Sequence, residues 1–385
     1  MPRSNRGRIC FYSEYAYPLI ARSSIEFAGG AEALVVRLAR GLAARDYDVT
    51  LVTCDYGQSP EERVDGVRVL RSFRPGRGIR GLRFFHPRLS RAAAALMRAD
   101  ADVYYVCGSG MPAGLTCDVA LLRGARFVLA MMTDHDVMRR PPRDSGASGI
   151  RWFHRALRRA HRVLAQTEHQ QRELRANFGV ESGVLPNIVD IPECTIDAGQ
   201  DGIVLWNATY KAIKRPEWFL DLARDLPTHR YVMAGIVPPP PLTREFFNRA
   251  LEAARRMPQL EVLGFLPEAE LAALRRRAAL VVHTSPVEGF SNVLLESWAL
   301  GLPTVSGVNP DGLVERERIG RFAPDYDALC AAVSAYMSDP ALRREDGARA
   351  RAYARREHAP EIVLDSLCAV IDPLIAELRR GRRRA

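Results

Sequence analysis

Lysine is almost absent from this sequence of 385 residues, in which two of the 55 basic residues are lysines and the other 53 are arginines. Both lysines, Lys211 and Lys214, lie in one short segment between residues 206 and 217. Two lysines three residues apart are often no more than surface charge. Here the confinement of every lysine to one segment favours a local role, and a compact ammonium group with three donors suits the binding of phosphate.

The sequence also lacks an apolar run of about 18 residues, so it predicts no transmembrane helix. Near its start, the stretch from Ile9 to Ala21 is interrupted by Glu14 and Pro18, which is not typical of a signal peptide. The seven cysteines are scattered, odd in number and without a C-x-x-C pair. These features favour reduced thiols in the cytoplasm over a disulfide framework or a zinc site.

Positive charge is concentrated in the first half of the chain. Residues 1–190 contain 29 arginines and 19 acidic residues, a net charge of +10, whereas residues 191–385 contain 26 basic and 26 acidic residues. One basic cluster is interleaved with apolar residues and contains Arg71, Arg74, Arg77, Arg80, Arg83, Arg88 and Arg91. A second cluster spans residues 151–162 and includes a tryptophan and a phenylalanine.

These clusters leave two interpretations open. They can bind an anionic membrane surface or a lipid-linked or polyanionic acceptor, or they can form an ordinary solvated face of an arginine-rich protein. Nucleic acid is disfavoured as a partner because no nucleic-acid-binding motif accompanies the charge.

Short apolar runs alternate with helical patterns along the chain, which is typical of parallel sheets wrapped by helices. The predicted strands cover residues 9–12, 49–52, 67–70, 103–106, 127–130 and 163–165 in the first half, and residues 203–206, 231–234, 260–263, 280–282 and 304–305 in the second. Residues 192–202 are polar, with two glycines and a proline, and predict a linker. We therefore expect an α/β protein with two Rossmann-like domains, over residues 1–190 and 200–358.

The most informative segment is EGFSNVLLE, at residues 288–296. A predicted strand precedes it, and the helical pattern that follows ends at Gly301. Glu288 is therefore expected on a strand-to-helix loop, and Glu296 about one turn into the helix. Each carboxylate can accept hydrogen bonds from one set of hydroxyls, and the helix N-terminus between them can hold phosphate. A nucleotide sugar has all three features.

In this context, the segment resembles the E-x7-E motif of retaining glycosyltransferases with the GT-B fold, in particular those of family 4. Two acids eight residues apart are a weak signal alone, but the strand, the loop, the helix and the stop at residues 301–303 agree with the motif. The resemblance covers nearly the whole chain and implies two Rossmann-like domains that face each other across a cleft. It also implies a C-terminal helix, over residues 360–380, that packs back on the first domain.

The resemblance implies roles for the lysines and the acids. Lys214 matches the family lysine that neutralises the donor diphosphate, and Lys211 stands near the usual arginine, while an arginine found earlier in the family segment is missing. Glu288 matches the acid that binds hydroxyls of the transferred sugar, and Glu296 the acid that binds the ribose. The implied donor-binding set also contains Gly289, Phe290, Ser291, Asn292 and Val293.

Two places in the first half complete the implied site. Gly29 and Gly30 resemble the family's N-terminal glycine loop, where glycine permits a close backbone approach or an unusual φ, although a plain turn is the alternative. Asp134 and His135 follow the fifth predicted strand, and we expect His135 to contact the donor sugar and Asp134 the acceptor; a structural histidine is the alternative. With Asp136 they also spell D-x-D, a metal motif of another glycosyltransferase fold. Because the lysines supply a diphosphate clamp, we expect no metal and no cofactor.

The sequence thus predicts a cytoplasmic, metal-independent, retaining glycosyltransferase that moves a hexose-type sugar from a nucleotide donor, with UDP or GDP as candidates, to an acceptor hydroxyl. The leading acceptor is a lipid-linked intermediate or growing polysaccharide at the inner face of the membrane. One alternative is a soluble small-molecule acceptor in secondary metabolism. Another is a nucleotide-sugar epimerase, which would release sugar and nucleotide without an acceptor. Nucleotide binding without catalysis is disfavoured by the acid pair and the lysine segment.

Overall fold

The computed structural model describes residues 6–22, 29–79, 81–139, 146–193, 201–238 and 244–384. The chain divides into two compact units, the first formed by Met1–Ile188 with Pro360–Ala385 and the second by Val189–Ala359. The division falls at residue 188, where the alternating sequence pattern stops. Most of the predicted linker, residues 194–200, lies outside the described residues.

The first unit is built around a β-sheet. Its strands are β1 (Arg8–Tyr12), β2 (Asp48–Thr53), β3 (Glu61–Val64), β4 (Val67–Arg71), β5 (Val103–Cys107), β6 (Arg126–Ala130), β7 (Arg162–Ala165) and β8 (Gly183–Val184). They lie in the order β3-β4-β2-β1-β5-β6-β7-β8, with β3 and β4 antiparallel and the other neighbouring pairs parallel. The sequence does not predict β3, because three of its four side chains are charged and all four are exposed or half-buried, as is typical of an edge strand.

Helices cover both faces of this sheet. They are α1 (Tyr17–Ile20), α2 (Gly30–Ala43), α3 (Ser90–Ala99), α4 (Met111–Leu122), α5 (Ala147–Arg159) and α6 (Glu168–Phe178). Along β1, Ile9 and Phe11 join one buried apolar cluster, while Cys10 and Tyr12 join another. Since successive side chains of a strand point to opposite faces, the sheet is buried on both sides, which explains why its central strands are continuous apolar runs.

The second unit repeats this architecture. Its strands are β9 (Ile203–Asn207), β10 (Arg230–Ala234), β11 (Leu260–Val262), β12 (Ala278–His283), β13 (Thr304–Ser306) and β14 (Gly320–Phe322), all paired in parallel in the order β11-β10-β9-β12-β13-β14. Its helices are α7 (Pro216–Asp225), α8 (Glu245–Ala254), α9 (Glu268–Arg277), α10 (Asn292–Leu300), α11 (Leu313–Arg316), α12 (Tyr326–Ser338) and α13 (Pro340–His358). Every residue of β12 is buried, so the loop that follows it starts from the core.

The last helix, α14 (Pro360–Arg384), lies in the first unit. Its residues Val363 and Leu367 are buried in the same apolar cluster as the inner face of α2. A Cβ atom on Gly41 of α2 would lie 2.4 Å from Cδ1 of Leu364, so the glycine allows the two helices to approach closely. The helix continues four residues beyond its predicted end at residue 380.

Candidate functional site

The two lysines and the two motif glutamates lie at one edge of the second sheet. From β9 the chain adds β10 and β11 on one side, and then β12, β13 and β14 on the other. The neighbours β9 and β12 therefore form the topological switch point, where α/β sheets bind ligands beyond the carboxyl ends of their strands. The loop after β9 carries Lys211 and Lys214, and the loop after β12 carries Glu288 and leads into α10 with Glu296.

The lysine loop, residues 208–215, runs from the end of β9 to the start of α7. It contains a 3₁₀ turn at Ala212–Lys214, after which Arg215 adopts a left-handed conformation with φ of 44°. Pro216 then begins α7, a position that suits proline because the first turn of a helix needs no amide donor there. Lys211 is exposed and Lys214 is half-buried, so both ammonium groups can be reached from solvent.

Two hydroxyl groups fasten the lysine loop to the loop after β12. Thr284 Oγ1 donates to the carbonyl oxygen of Lys214 and accepts from the indole Nε1 of Trp206 at 2.9 Å. Ser285 Oγ shares its hydrogen between the carbonyl oxygens of Val287 at 3.1 Å and Ile213 at 3.3 Å. These bonds hold the backbone of the turn independently of the lysine side chains. A substitution at Lys214 should therefore remove its ammonium group and leave the turn in place.

Glu288 connects the two loops through its side chain. Its Oε1 forms an ion pair with Nζ of Lys214 and lies 3.3 Å from Nε2 of His283. Burial alone would raise the pKa of this carboxyl group, but the hydrogen bonds and electrostatic interactions with His283 and Lys214 outweigh burial and lower the pKa from 4.5 to about 2. Glu288 is therefore ionised at neutral pH, where it accepts hydrogen bonds and cannot act as a general acid.

His283 is a residue of this site that the sequence analysis missed. It is the last residue of β12, is 3% exposed, and places Nε2 3.2 Å from Oγ of Ser291 as well as near Glu288. Its Nδ1 is buried without a hydrogen-bond partner. The ring thus links the end of the strand to the glutamate and to the N-cap of α10. The available signal was one polar residue at the end of an otherwise apolar strand.

Glu296 lies in the second turn of α10 and has a buried partner. Its Oε2 is 2.7 Å from Nη2 of Arg275, and the same Nη2 donates to Oδ1 of Asn207 at 3.0 Å. The Arg275 side chain is 4% exposed and that of Glu296 15%. Nothing in the sequence distinguishes Arg275, because three consecutive arginines at the end of a helix are typical of a solvated terminus.

The residues between the two glutamates form the start of α10. Ser291 is its N-cap, and Asn292 and Val293 begin the helix. Gly289 is buried, whereas the ring of Phe290 packs against Trp298 and His358, with centroid distances of 6.0 and 4.9 Å. The Phe290 side chain is half-buried and packs against the core, so we expect any contact that this residue makes with a ligand to come from its backbone.

In the first unit, Gly29 and Gly30 begin α2. Gly29 is the N-cap, with φ of −95°, and its amide donates to Oε2 of Glu32 at 3.0 Å. Neither glycine has the positive φ that would require glycine, so the expectation of an unusual φ is wrong at both positions. A Cβ atom on Gly29 would lie 2.7 Å from Oε2 of Glu32, so the glycine makes room for this cap.

Asp134 and His135 lie in a 3₁₀ turn at Asp134–Val137, which follows β6. This is the sixth strand and not the fifth, because the sequence analysis missed β3. Asp134 accepts from the side chain of Gln170 at 3.1 Å, and His135 is half-buried. Asp136 accepts from two backbone amides, at 2.9 and 3.0 Å, and so caps its own turn.

Across the described ranges, no three His, Cys, Asp or Glu side chains are grouped closely enough to hold a metal ion.

The two basic clusters differ in structure. In the cluster at residues 151–162, Phe153 is buried and Trp152 donates to Asp118 at 2.9 Å, so the aromatic rings face the protein. In the cluster at residues 71–91, Arg80 lies outside the described residues. This cluster contains four of the ten exposed large apolar side chains found in the described residues, Ile79, Leu82, Phe84 and Phe85. No helix in the described parts of the chain is long and apolar enough to cross a membrane.

Comparison with protein families gives two matches. The model "Glycosyltransferase Family 4" matches residues 28–192, and the model "Glycosyl transferases group 1" matches residues 201–339. The two matches lie one after the other and together span most of the chain. The second contains the lysine loop, both motif glutamates, His283 and Arg275.

Solved structures resemble the chain over nearly its full length. Sucrose-phosphate synthase from Thermosynechococcus elongatus has a TM-score of 0.79 at 18% identity, with 97% of this chain and 100% of that chain covered. Anabaena HepE in complex with UDP-glucose has a TM-score of 0.68 at 15% identity, with coverage of 95% and 100%. A glycosyltransferase from Rickettsia africae has a TM-score of 0.69 at 14% identity, with coverage of 96% and 99%. These likenesses confirm the predicted GT-B fold class.

The electrostatics of Glu288 predict how acid affects the fold. Since the pKa of Glu288 is lowered in the folded chain, the stability that its carboxylate contributes is fully present above pH 4.5 and is lost as the pH falls toward 2. We expect the thermal melting temperature of the wild type to exceed that of Glu288→Gln at about pH 7, with the difference shrinking below about pH 4.5.

The matched control is Glu345→Gln, which removes a glutamate whose side chain is 69% exposed. Its melting temperature should follow that of the wild type at every pH. A difference between the wild type and Glu288→Gln that stays constant from about pH 7 to about pH 3 would contradict the lowered pKa.

Proposed function

Because the chain belongs to the GT-B glycosyltransferases of the family 4 type, we propose that it transfers a sugar from a nucleotide-diphosphate sugar to an acceptor hydroxyl. The observation that supports this most strongly is the meeting of Lys214, Glu288 and the N-terminus of α10 at the topological switch of the second sheet. A nucleotide sugar offers a diphosphate, sugar hydroxyls and a ribose to these groups and to Glu296. The Anabaena protein was solved with UDP-glucose, so UDP is the first nucleotide to test.

The lysine loop provides the proposed diphosphate site. An ammonium group has three donors, so Lys214 can contact Glu288 and still donate to a phosphate oxygen. Lys211 is exposed on the same loop. The amides of residues 289–292 and the positive end of the α10 dipole add to this site. Together these groups would stabilise the charge that develops on the departing diphosphate.

The two glutamates would bind the two sugars of the donor. Glu288 is ionised, so its carboxylate can accept hydrogen bonds from hydroxyls of the transferred sugar. Glu296 would accept from the ribose hydroxyls. We assign backbone contacts with the phosphates to Gly29 and Gly30, a contact with the donor sugar to His135, and a contact with the acceptor to Asp134.

We propose that transfer retains the anomeric configuration without an enzyme nucleophile. In this mechanism the acceptor hydroxyl attacks from the face that the diphosphate leaves, the bond from the sugar to the phosphate oxygen breaks, and that oxygen takes the acceptor's proton. The ion pair with Lys214 and the contact with His283 support a mechanism in which Glu288 is not a nucleophile, because they hold its carboxylate in place as a hydrogen-bond acceptor. The enzyme's contribution is then the electrostatic stabilisation of the separating charges.

Donor binding tests the proposed function. Among UDP-, GDP-, ADP- and dTDP-sugars, at least one should raise the melting temperature of the wild type, since a ligand that binds the folded state stabilises it. Lys211→Ala and Lys214→Ala should each weaken calorimetric binding of that donor by about ten- to a hundredfold, the effect of losing one charged hydrogen bond.

Arg224→Ala is the matched control, because this arginine lies in the last turn of α7, away from the lysine loop, and its side chain is 63% exposed. Its donor affinity should equal that of the wild type. If no nucleotide sugar shifts the melting temperature, the proposed function is wrong; if the donor binds both lysine variants normally, the lysines have no role in donor binding.

We also propose that the reaction needs no divalent metal and no cofactor, because Lys211 and Lys214 provide the positive charge that a metal would bring to the diphosphate. Transfer in excess EDTA should proceed at the rate measured without it. A parallel assay with added Mn²⁺ provides the control. Loss of activity in EDTA, restored by Mn²⁺, would contradict the proposal.

The acceptor that we propose is a polysaccharide or glycolipid intermediate at the inner face of an anionic membrane. The supporting feature is the cluster at residues 71–91, where Arg74, Arg77 and Arg83 are exposed beside the exposed Ile79 and Phe85. Apolar side chains can insert among lipids while arginines attract anionic head groups. We propose a cytoplasmic location for the enzyme, and the six cysteines in the described residues are free, as reduced thiols would be.

Vesicle binding tests this surface. The wild type should sediment with vesicles that contain about one-third anionic lipid and not with neutral vesicles. The triple variant Arg74→Ala, Arg77→Ala, Arg83→Ala should bind about a hundredfold more weakly, from about 1 kcal/mol per arginine near the surface. The control of equal charge is Arg224→Ala with Arg249→Ala and Arg256→Ala, three arginines that lie on α7, on α8 and just after α8. Equal loss in both triple variants, or no loss in either, would count against this surface.

A further inference from the structure

Arg275 is a charged residue in the interior of the second unit. Only 3% of it is exposed, and its Nε is buried without a hydrogen-bond partner. Removing a guanidinium from water is unfavourable, and replacing a buried ion pair by apolar residues of similar size often leaves a protein equally stable or more stable. Stability alone is therefore a weak explanation for a buried arginine at this position. The contacts of Arg275 suggest a better explanation.

Arg275 joins three elements that meet at the candidate site. It lies on α9, its Nη2 donates to Asn207 at the end of β9, and the same Nη2 is 2.7 Å from Oε2 of Glu296 on α10. A guanidinium presents its donors in a rigid plane, so it fixes the direction of each acceptor that it contacts. Arg275 therefore holds the Glu296 carboxylate in a fixed orientation relative to β9, the strand that precedes the lysine loop.

The bond to Arg275 leaves Glu296 able to bind a ligand. A carboxylate has about four lone-pair sites, so it can accept a further hydrogen bond beside the contact with Nη2. The side chain of Glu296 is 15% exposed, so solvent and ligands can reach it. A carboxylate that is already oriented loses less conformational entropy when a ligand binds than one that moves among rotamers.

We infer that Arg275 is a positioning residue for the donor nucleotide: by holding Oε2 of Glu296, it gives the enzyme its preference for a ribose over a 2′-deoxyribose. This inference rests on the proposed function, in which Glu296 accepts hydrogen bonds from the ribose. Arg275 makes no contact with the nucleotide itself in this account. It acts through the orientation of the carboxylate.

The test compares two nucleotides that differ by one hydroxyl group. The dissociation constants of UDP and 2′-deoxy-UDP, or of the corresponding pair for the base that the donor panel selects, are measured by calorimetry. The wild type should bind the ribose form about tenfold or more tightly, since one hydrogen bond to a charged group is lost in the deoxy form. In Arg275→Met this ratio should fall below about threefold, because the carboxylate is no longer oriented.

This ratio separates positioning from a purely structural role. If Arg275 only stabilised the fold, its loss would weaken the binding of both nucleotides equally and leave the ratio of their dissociation constants unchanged. Arg277→Met is the matched control, because this arginine lies two residues away on α9, its side chain is 53% exposed, and it pairs with Asp201. Its ratio should equal that of the wild type.

Two further variants keep the test decisive if Arg275→Met does not fold. Arg275→Lys keeps the buried charge but lacks the planar fork, and Asn207→Ala removes one anchor of the guanidinium while the ion pair with Glu296 stays. Each should lower the ratio, by about threefold for Asn207→Ala. A wild-type ratio in every folded variant would overturn the inference alone. A wild type that binds no nucleoside diphosphate would instead overturn the proposed function.

Discussion

The ion pair between Lys214 and Glu288 connects the two loops on which the candidate site depends. Each loop follows a buried parallel strand. The two strands are neighbours because the chain crosses from β11, at one edge of the sheet, to place β12 on the other side of β9. A carboxylate as buried as that of Glu288 would be protonated or destabilising if it had no partner. With His283 and Lys214 beside it, the same carboxylate is ionised and fixed. These two contacts together set both the protonation state and the geometry at the centre of the site.

The second glutamate has a pair of its own. Glu296 is held by Arg275 as Glu288 is held by Lys214, but the two partners differ in chemistry and in burial. Lys214 is half-buried, with donors left for a phosphate, whereas Arg275 is enclosed and has Asn207 as a further partner. We interpret the first pair as one that acts on the donor directly, and the second as one that orients a group proposed to bind the donor. The two acids of the motif thus belong to two small networks joined by α10.

The sequence was sufficient for the class of fold and for the place of the motif acids. Buried parallel strands such as β12 are continuous apolar runs, and Gly301 ends α10 as expected, with φ of 80°. The sequence was insufficient for features that depend on which side chains are buried. The polar edge strand β3 has no apolar run, and Arg275 cannot be told from Arg277 by residue type, although one is enclosed and the other exposed. Which charged side chain packs inward depends on contacts between elements distant in sequence. The roles of the site residues in binding stay predictions.

The decisive measurement is a crystal structure with a nucleoside diphosphate, UDP in the first instance. We expect the diphosphate within hydrogen-bond distance of the ammonium groups of Lys211 and Lys214 and of the amides that begin α10, with the ribose hydroxyls on Glu296. A nucleotide bound at any other edge of the second sheet, or a diphosphate that contacts neither lysine, would contradict this expectation.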